Sequence, residues 1–388
     1  MGSGLFGILR AFSGSYVQFA IFEFFDAFFG AATYSSAFII GMLLFMEFNW
    51  NSCFIVLGLE LVTAKRRAVS GTFLNCFYAI GEIYLGTIAY FFRSFRTMLL
   101  IIYVPAFLTI SYICVLPRSV RWLLAKNRNQ EAKKILLKAA KINGKTLKIE
   151  SLKQLDEKVE QERNKKLVEL SLSSAGEQVH DEKQAINLTI LLKVANLCFC
   201  WFANTFVYFG LNLNSVYLNL FDKYFSYILV CSVEIPAFFA TNFLMDWIGR
   251  KRTLFLGLFG SGLSCIVGEL FTGDIEKFIC FVVGKFLITI SFSCLYIYTI
   301  ELFPTHLRHR FFSICSTFAR FGSILTPLTP LLIKFSPQLP LYIFAALAFS
   351  SSFLIFVNLP ETKNKRLPEN MAEAFTYTKC FIYQTFIQ

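Results

Sequence analysis

Nine long apolar segments, separated by polar stretches, dominate the pattern of hydrophobic and polar positions along the chain. They cover residues 17–40, 68–92, 97–116, 187–211, 224–245, 253–272, 278–300, 311–333 and 340–359, and residues 5–13 resemble the end of another. A helix needs about 20 apolar residues to cross a bilayer, and each segment is close to that length. The pattern therefore predicts an all-α polytopic membrane protein.

One long polar stretch, residues 118–186, interrupts this series. It is rich in Lys and Glu, with charges at helical spacing, which is typical of a solvated linker with short amphipathic helices. We therefore predict a partial helical lobe at 1–117, a cytoplasmic linker at 118–186, a complete six-helix lobe at 187–360 and a cytoplasmic tail at 361–388.

The composition excludes the other large classes of protein. Of the 388 residues, 56% are hydrophobic and 47 are Phe, whereas only 16% are charged, against about 25% in a typical soluble domain. The net charge of +12 would suit a nucleic-acid partner, but the Lys and Arg clusters follow alternate apolar segments. Because loops on the cytoplasmic side carry such clusters, we predict a multi-pass membrane protein. Its expected partner is the lipid bilayer and not nucleic acid.

Residue patterns for catalysis or cofactor binding are missing from the sequence. The three His and 11 Cys show no metal-ligand spacing. There is also no Gly-rich phosphate loop, no Gly-x-Ser-x-Gly string and no suitably spaced His–carboxylate pair. We therefore predict that the protein is not an enzyme and that it has no cofactor and no metal.

A weak internal repeat relates the parts of the chain on the two sides of the linker. Glu60 precedes Arg67 by seven residues, and Glu301 precedes Arg308 by the same distance. Two similar halves are typical of transporters that bind their substrate between the halves. The second half has six predicted spans and the first has fewer, so we expect the sequence to lack the start of its first half.

Three motifs point to a known family. They are Asp246-x-x-Gly249-Arg250-Lys251-Arg252, Glu301-Leu-Phe-Pro-Thr305 and Pro117-Arg-Ser-Val-Arg-Trp-Leu123. Together they resemble the organic cation/anion/carnitine transporter family of the major facilitator superfamily. The resemblance implies that superfamily's all-α fold of twelve helices, of which nine or ten are expected here. Residues 42–58 depart from the family pattern, and without them the chain would resemble the end of the family's fourth helix. We therefore regard 42–58 as an unusual insert.

The resemblance also implies a role for the charged loop motifs in gating. Salt bridges in such loops hold one gate closed and break during alternating access. The residues assigned to this role are Asp246, Gly249, Arg250, Arg252, Glu301, Arg308, Glu60 and Arg67. Within this set, Glu301 is expected to act with Arg308, and Glu60 with Arg67. A role as topological anchors is compatible with the same residues.

Three ionisable residues stand out among those inside the predicted spans of the second half. A charge near the bilayer centre costs about 2.5–3.5 kcal/mol on insertion scales, so such residues usually have a partner or a task. Arg320 offers a guanidinium to a substrate carboxylate, and the resemblance implies that anion- and carnitine-type members carry Arg there. An internal ion pair is the alternative. Lys285 is predicted to bind substrate or a coupling ion, or else to snorkel towards the outer surface.

Glu234 is the third of these residues and has several open roles. It could meet a substrate ammonium group, carry a proton, or pair with Lys285 or Arg320. Glu82 lies deep in the predicted span 68–92, and the sequence does not reveal its partner.

A stripe of polar and aromatic residues runs along each of two predicted spans. Trp201, Asn204 and Tyr208 share one helical face, and Tyr296 lies on a similar stripe further along the chain. Aromatic rings bind quaternary ammonium groups by cation–π attraction, worth about 0.5–2 kcal/mol each. The stripes are therefore candidates for substrate binding, with Tyr208 at the cavity by resemblance, although helix packing alone would also explain them.

Together with these features, the resemblance implies secondary transport of small organic ions by alternating access, in the plasma membrane. The expected substrates are carnitine-like zwitterions, organic cations or organic anions, and a proton or sodium ion is the candidate coupling ion. The alternative is a truncated, non-transporting paralogue or a gene-model fragment, because nine spans do not complete two halves.

Overall fold

The computed structural model describes residues 2–29, 67–104, 123, 128–142, 188–217, 220–303 and 308–363, and those residues form helices and connecting turns, with no strand among them. The helices are α1 (Gly2–Ala11), α2 (16–29), α3 (Arg67–Phe91), α4 (Phe95–Tyr103), α5 (Asn129–Ile142), α6 (Leu188–Asn214), α7 (Lys223–Ser232), α8 (Glu234–Ile248), α9 (Arg250–Leu270), α10 (Asp274–Leu302), α11 (Arg308–Leu325), α12 (Thr329–Leu332) and α13 (Leu339–Asn358). Short 3-10 turns follow α6 at Ser215–Tyr217 and α11 at Thr326–Leu328.

The chain divides into two compact units. The smaller unit comprises Met1–Phe6, Phe24–Ala64 and Val104–Ile186. Within it, the Ser3 hydroxyl donates a 2.5 Å hydrogen bond to Asp26, and the Phe6 and Phe25 rings stack with centroids 5.0 Å apart. The predicted insert 42–58 and most of the predicted linker lie outside the described residues.

The larger unit comprises Gly7–Glu23, Lys65–Tyr103 and Asn187–Gln388. It contains the six helices of the described ranges that are long and apolar enough to cross a membrane. These are Leu192–Asn214, Lys223–Ile248, Arg250–Leu270, Asp274–Leu302, Arg310–Leu332 and Leu339–Asn358. They coincide with the six predicted spans of the second half, so the protein is a multi-pass membrane protein. The predicted span 68–92 forms the 25-residue helix α3, whereas the spans 17–40 and 97–116 are described only in part.

A break divides the second of these spans into α7 and α8. Pro236 has no N–H to donate to the carbonyl oxygen of Ser232, and its ring opposes continuation of the preceding helical turn. The helix is interrupted at Val233, and the N–H of Ala237 donates to the Val233 carbonyl oxygen at 3.3 Å. The break places Glu234 in the first turn of α8, where its side chain is fully buried.

Small residues allow the helices of the larger unit to approach closely. A methyl group added at Gly322 of α11 would lie 2.6 Å from the carbonyl oxygen of Phe202 in α6, and one at Gly257 of α9 would lie 2.9 Å from that of Leu287 in α10. Close backbone contacts of this kind are typical of helix packing in membranes. The α3 helix packs on α7 and α8, with Cys76, Ala79 and Phe238 in a shared apolar cluster.

Candidate functional site

The two predicted stripes face each other across the interface between α6 and α10. The Trp201 indole N–H donates a 2.9 Å hydrogen bond to the Thr299 hydroxyl, and the Trp201 ring meets the edge of Tyr296 with centroids 4.6 Å apart. One turn further along α6, the Asn204 amide donates a 3.0 Å hydrogen bond to the Ser291 hydroxyl. The structure thus brings Trp201, Asn204 and Tyr296 together, and Trp201 and Asn204 are buried.

A fully buried ion pair lies next to these contacts. The Lys285 Nζ of α10 is 2.6 Å from the Glu234 Oε1 of α8, and neither side chain is exposed. The Tyr208 hydroxyl of α6 donates a 2.7 Å hydrogen bond to Glu234 Oε2, and Lys285 Nζ lies 3.4 Å from the centroid of the Tyr208 ring. The Tyr208 ring in turn stacks on Phe292. We call Glu234, Lys285 and Tyr208 the buried charge cluster.

This geometry decides between alternatives that the sequence leaves open. Lys285 does not snorkel towards the outer surface, because its whole side chain is buried. Glu234 pairs with Lys285 and not with Arg320. A buried ion pair is favourable only when its geometry is good and its remaining polar atoms are bonded, and the contacts of Tyr208 with both charges meet part of that need.

A second carboxylate joins the buried charge cluster from α3. The Asn212 amide Nδ2 lies 3.4 Å from each carboxylate oxygen of Glu82. Asn212 continues the ridge of Asn204 and Tyr208 at four-residue intervals, so the helical period could have identified it. The motifs and stripes predicted from the sequence do not include it.

Arg320 lies on α11 with its side chain exposed. It occupies the same i, i+4, i+8 ridge as Phe312 and Ser316. The Phe312 ring contacts the Trp201 ring edge to face, with centroids 5.4 Å apart. The ridge that bears Arg320 thus begins at a residue that contacts the paired stripes.

The remaining exposed surface of α11 has two different sides. Three serines accompany Arg320 on its side, namely Ser313, Ser316 and Ser323, together with Ile324, which is 66% exposed. Large apolar side chains cover the other side, namely Ile314, Phe318, Phe321 and Leu325, which are 42–53% exposed. Apolar side chains suit contact with lipid, and the serines and the guanidinium make the side of Arg320 the more polar of the two.

The loop motif at Asp246–Arg252 forms a second polar cluster at the start of α9. The Arg250 Nε lies 3.2 Å from Glu301 Oε2, and Arg250 Nη1 is 3.9 Å from Asp246, which is largely exposed. The Glu301 Oε2 also accepts a 2.6 Å hydrogen bond from the Thr362 hydroxyl. In the described residues, Glu301 is therefore held by Arg250 and Thr362.

Several of the predicted gating residues lie outside the described parts of the chain. Glu60 is not among the described residues, and the same holds for the side chains of Arg67 and Arg308. Pairing of Glu301 with Arg308 and of Glu60 with Arg67 stays a prediction. Arg252 is described and has an exposed side chain.

The structure adds Glu361, which the sequence did not indicate as a functional residue. Its carboxylate accepts hydrogen bonds from the N–H groups of Arg250 (2.8 Å) and Lys251 (3.1 Å) at the start of α9. It also accepts from the N–H groups of Thr362 and Lys363. Free N–H groups and the helix dipole at a helix N-terminus favour a negative charge. Glu361 thus caps α9 from a position 111 residues away along the chain.

Gly249 makes this capping contact possible. Its backbone has φ 96° and ψ 166°, a conformation that only glycine adopts readily. A Cβ atom at this position would also lie 2.8 Å from Glu361 Oε2. The requirement for glycine in the motif is therefore both conformational and steric.

Replacing Gly249 by alanine is expected to lower the unfolding free energy by about 1–3 kcal/mol, from the unfavourable backbone conformation alone. Displacement of Glu361 from the α9 N-terminus adds to that loss. The measurement is thermal unfolding of the purified full chain in detergent micelles. Gly81→Ala is the matched control, because a Cβ atom there meets nothing within 4 Å. Equal unfolding temperatures for the two variants would contradict the prediction.

Comparison with known proteins agrees with these features. The family model described as "Sugar (and other) transporter" matches residues 60–375. The chain is 29% identical over 370 residues to solute carrier family 22 member 6-A of Xenopus laevis, covering 95% of this chain and 62% of that protein. It is 30% identical over 377 residues to the organic cation transporter protein of Drosophila melanogaster, covering 97% and 65%. The chain thus spans less than two thirds of the length of these relatives.

A solved structure shows a similar fold. The inward-open xylose transporter XylE from E. coli matches with a TM-score of 0.65 and 18% sequence identity, over 96% of this chain and 79% of XylE. The all-α fold that the motifs predicted is therefore confirmed. Since the family model covers most of the chain, the protein belongs to the sugar (and other) transporter family.

Proposed function

We propose that the whole protein carries small organic ions across the plasma membrane by alternating access, with the buried charge cluster as part of its substrate site. The observation that supports this most is the Glu234–Lys285 pair beside the Tyr208 ring. Ionisable residues inside membrane spans are expensive and usually mark a solute pathway. The names of the relatives, which include an organic cation transporter protein, agree with this class of substrate.

The chemistry of the cluster favours carnitine-like zwitterions. Glu234 supplies a negative charge for an ammonium head group, Lys285 supplies a positive charge for a carboxylate, and the Tyr208 face suits a quaternary nitrogen. Arg320, on the polar side of α11, supplies a further guanidinium for a carboxylate. Organic cations and anions would each satisfy part of this set.

The contacts at the start of α9 support the gating part of the proposal. Arg250, Glu301 and Glu361 join the ends of α9, α10 and α13 by hydrogen bonds and an ion pair. In alternating access, such contacts hold one end of the transport path closed and are remade in each cycle. They serve here as one gate of the proposed transporter.

The test is a countertransport assay with the full chain in liposomes. Labelled carnitine, tetraethylammonium and benzoate represent a zwitterion, a cation and an anion, each offered to vesicles preloaded with the same unlabelled compound. We expect carnitine to accumulate several-fold above protein-free vesicles, and Tyr208→Phe to reduce that uptake because Glu234 loses its hydroxyl donor. If none of the three compounds exceeds the protein-free level, the proposed function is wrong and the non-transporting alternative is favoured.

A further inference from the structure

The charges around the buried charge cluster do not balance when all of them are ionised. Glu234 and Lys285 neutralise each other at 2.6 Å, and Glu82 adds a second carboxylate. The titratable groups that face Glu82 are Tyr78 on its own helix, Tyr227 and Cys231 on α7, Glu234 on α8, Lys285 on α10 and Tyr208 on α6. The only cation in that set is Lys285. A net negative charge inside the membrane is costly unless a cation neutralises it.

The contact between Glu82 and Asn212 gives independent evidence that the neutralising cation is a proton bound to Glu82. The Asn212 Oδ1 is buried and has no hydrogen-bond donor among the described residues, in a side chain that is only 7% exposed. Its Nδ2 lies between the two Glu82 oxygens, at 3.4 Å from each, which is longer than the usual N–H···O distance of about 2.9–3.0 Å. An ionised carboxylate has no proton to donate to Oδ1.

A protonated Glu82 would satisfy both groups of the Asn212 amide. With the carboxyl group turned so that one oxygen faces Oδ1, its O–H would donate to Oδ1 while its other oxygen accepts from Nδ2, and the acid and the amide would form two hydrogen bonds side by side. A buried acceptor without a donor costs about 1–3 kcal/mol, and this pairing removes that cost. The same proton makes the charge of Glu82, Glu234 and Lys285 sum to zero.

We infer that Glu82 is the proton-binding residue of this site, and that its proton is released when the positive head group of an organic cation or zwitterion enters. The exchange part of the inference rests on the proposed function. The step breaks only the O–H bond of Glu82, and the proton passes to water as one positive charge replaces another. The site therefore binds either the proton or the organic cation, but not both at once.

Competition between the two has a defined dependence on pH. Binding of the cation releases one proton, so its affinity rises with pH, by up to about tenfold per pH unit, while Glu82 is protonated in the unliganded protein. At higher pH, where Glu82 of the unliganded protein has already lost its proton, the affinity for the cation no longer changes with pH. Glu82→Gln keeps an amide that can pair with Asn212, and it removes both the negative charge and the titration.

Infrared difference spectroscopy of the full chain in lipid tests the proton site without requiring transport. We expect the wild type to show a carboxylic-acid C=O band that disappears as the pH is raised and that is missing from Glu82→Gln. Glu269→Gln, which changes another glutamate on a membrane-spanning helix, is the matched control and should keep the band. A band that persists in Glu82→Gln, or a wild type without any titrating band, would overturn the inference.

Tetraethylammonium binding at several pH values tests the exchange. The affinity of the wild type should increase with pH, and that of Glu82→Gln should be weaker and independent of pH. Binding by the wild type that does not change with pH overturns the exchange while leaving transport intact. Absence of countertransport for every compound, together with the expected infrared band, rejects the proposed function but retains Glu82 as the proton-binding residue.

Discussion

Replacing Lys285 by methionine is expected to lower the unfolding free energy by about 3–5 kcal/mol, because it leaves the Glu234 carboxylate buried without its counter-charge. Methionine keeps a chain of similar length, so the loss reports the charge and not a large cavity. The Tyr208 hydroxyl, at 2.7 Å, continues to donate to Glu234 but carries no charge to compensate it. Thermal unfolding of the purified full chain in detergent micelles measures the effect.

The double variant Lys285→Met/Glu234→Gln separates loss of a partner from loss of packing. With both charges removed, no ion remains buried, and most of the lost stability should return. Lys277→Met, on the first turn of the same helix where the side chain is partly exposed, should change the unfolding temperature little. A double variant as unstable as Lys285→Met alone would show that the ion pair is not the source of the effect.

Uptake of carboxylate-bearing compounds is expected to fall by about 10- to 100-fold when Arg320 is replaced by alanine, since a charge-assisted hydrogen bond is worth about 1.5–3 kcal/mol. Tetraethylammonium has no carboxylate, and its uptake should persist. The measurement is countertransport of benzoate, carnitine and tetraethylammonium by variants present in equal amounts in the membrane.

One further substitution tests whether the geometry of the guanidinium matters, and a second serves as its control. Arg320→Lys keeps the charge but loses the planar pair of donors, so it should recover only part of the carboxylate uptake. Arg310→Ala removes an exposed arginine from the first turn of α11 and serves as the matched control. Unchanged benzoate uptake by Arg320→Ala would remove Arg320 from the proposed substrate site.

Local periodicity explains which parts of the site the sequence could predict. The stripes of α6 and α10 were identified because neighbours on a helical face recur every three or four residues, and these stripes do contact each other in the structure. The six spans of the second half were found for a related reason, because the length of an apolar segment is set by the thickness of the bilayer.

The part of the site that the sequence could not predict consists of contacts between helices that are far apart along the chain. Glu234 had two possible cationic partners in the sequence, and only the packing of α8 on α10 selects Lys285 over Arg320. The partner of Glu361 was even harder to predict, because Glu361 caps a helix that begins 111 residues earlier. No repeat or spacing connects those two positions, and the sequence therefore assigned Glu361 to a tail.

The helix cap formed by Glu361 shows that packed contacts of the larger unit continue beyond the last described helix. Residues 361–363 follow the last described helix, yet their side chains and N–H groups bond to Arg250, Lys251, Trp247 and Glu301. Shortening the chain to the end of α13 would therefore remove an interaction from the third of the six membrane-crossing helices. An affinity tag or a reporter protein is better joined beyond residue 363, where it leaves this carboxylate in place.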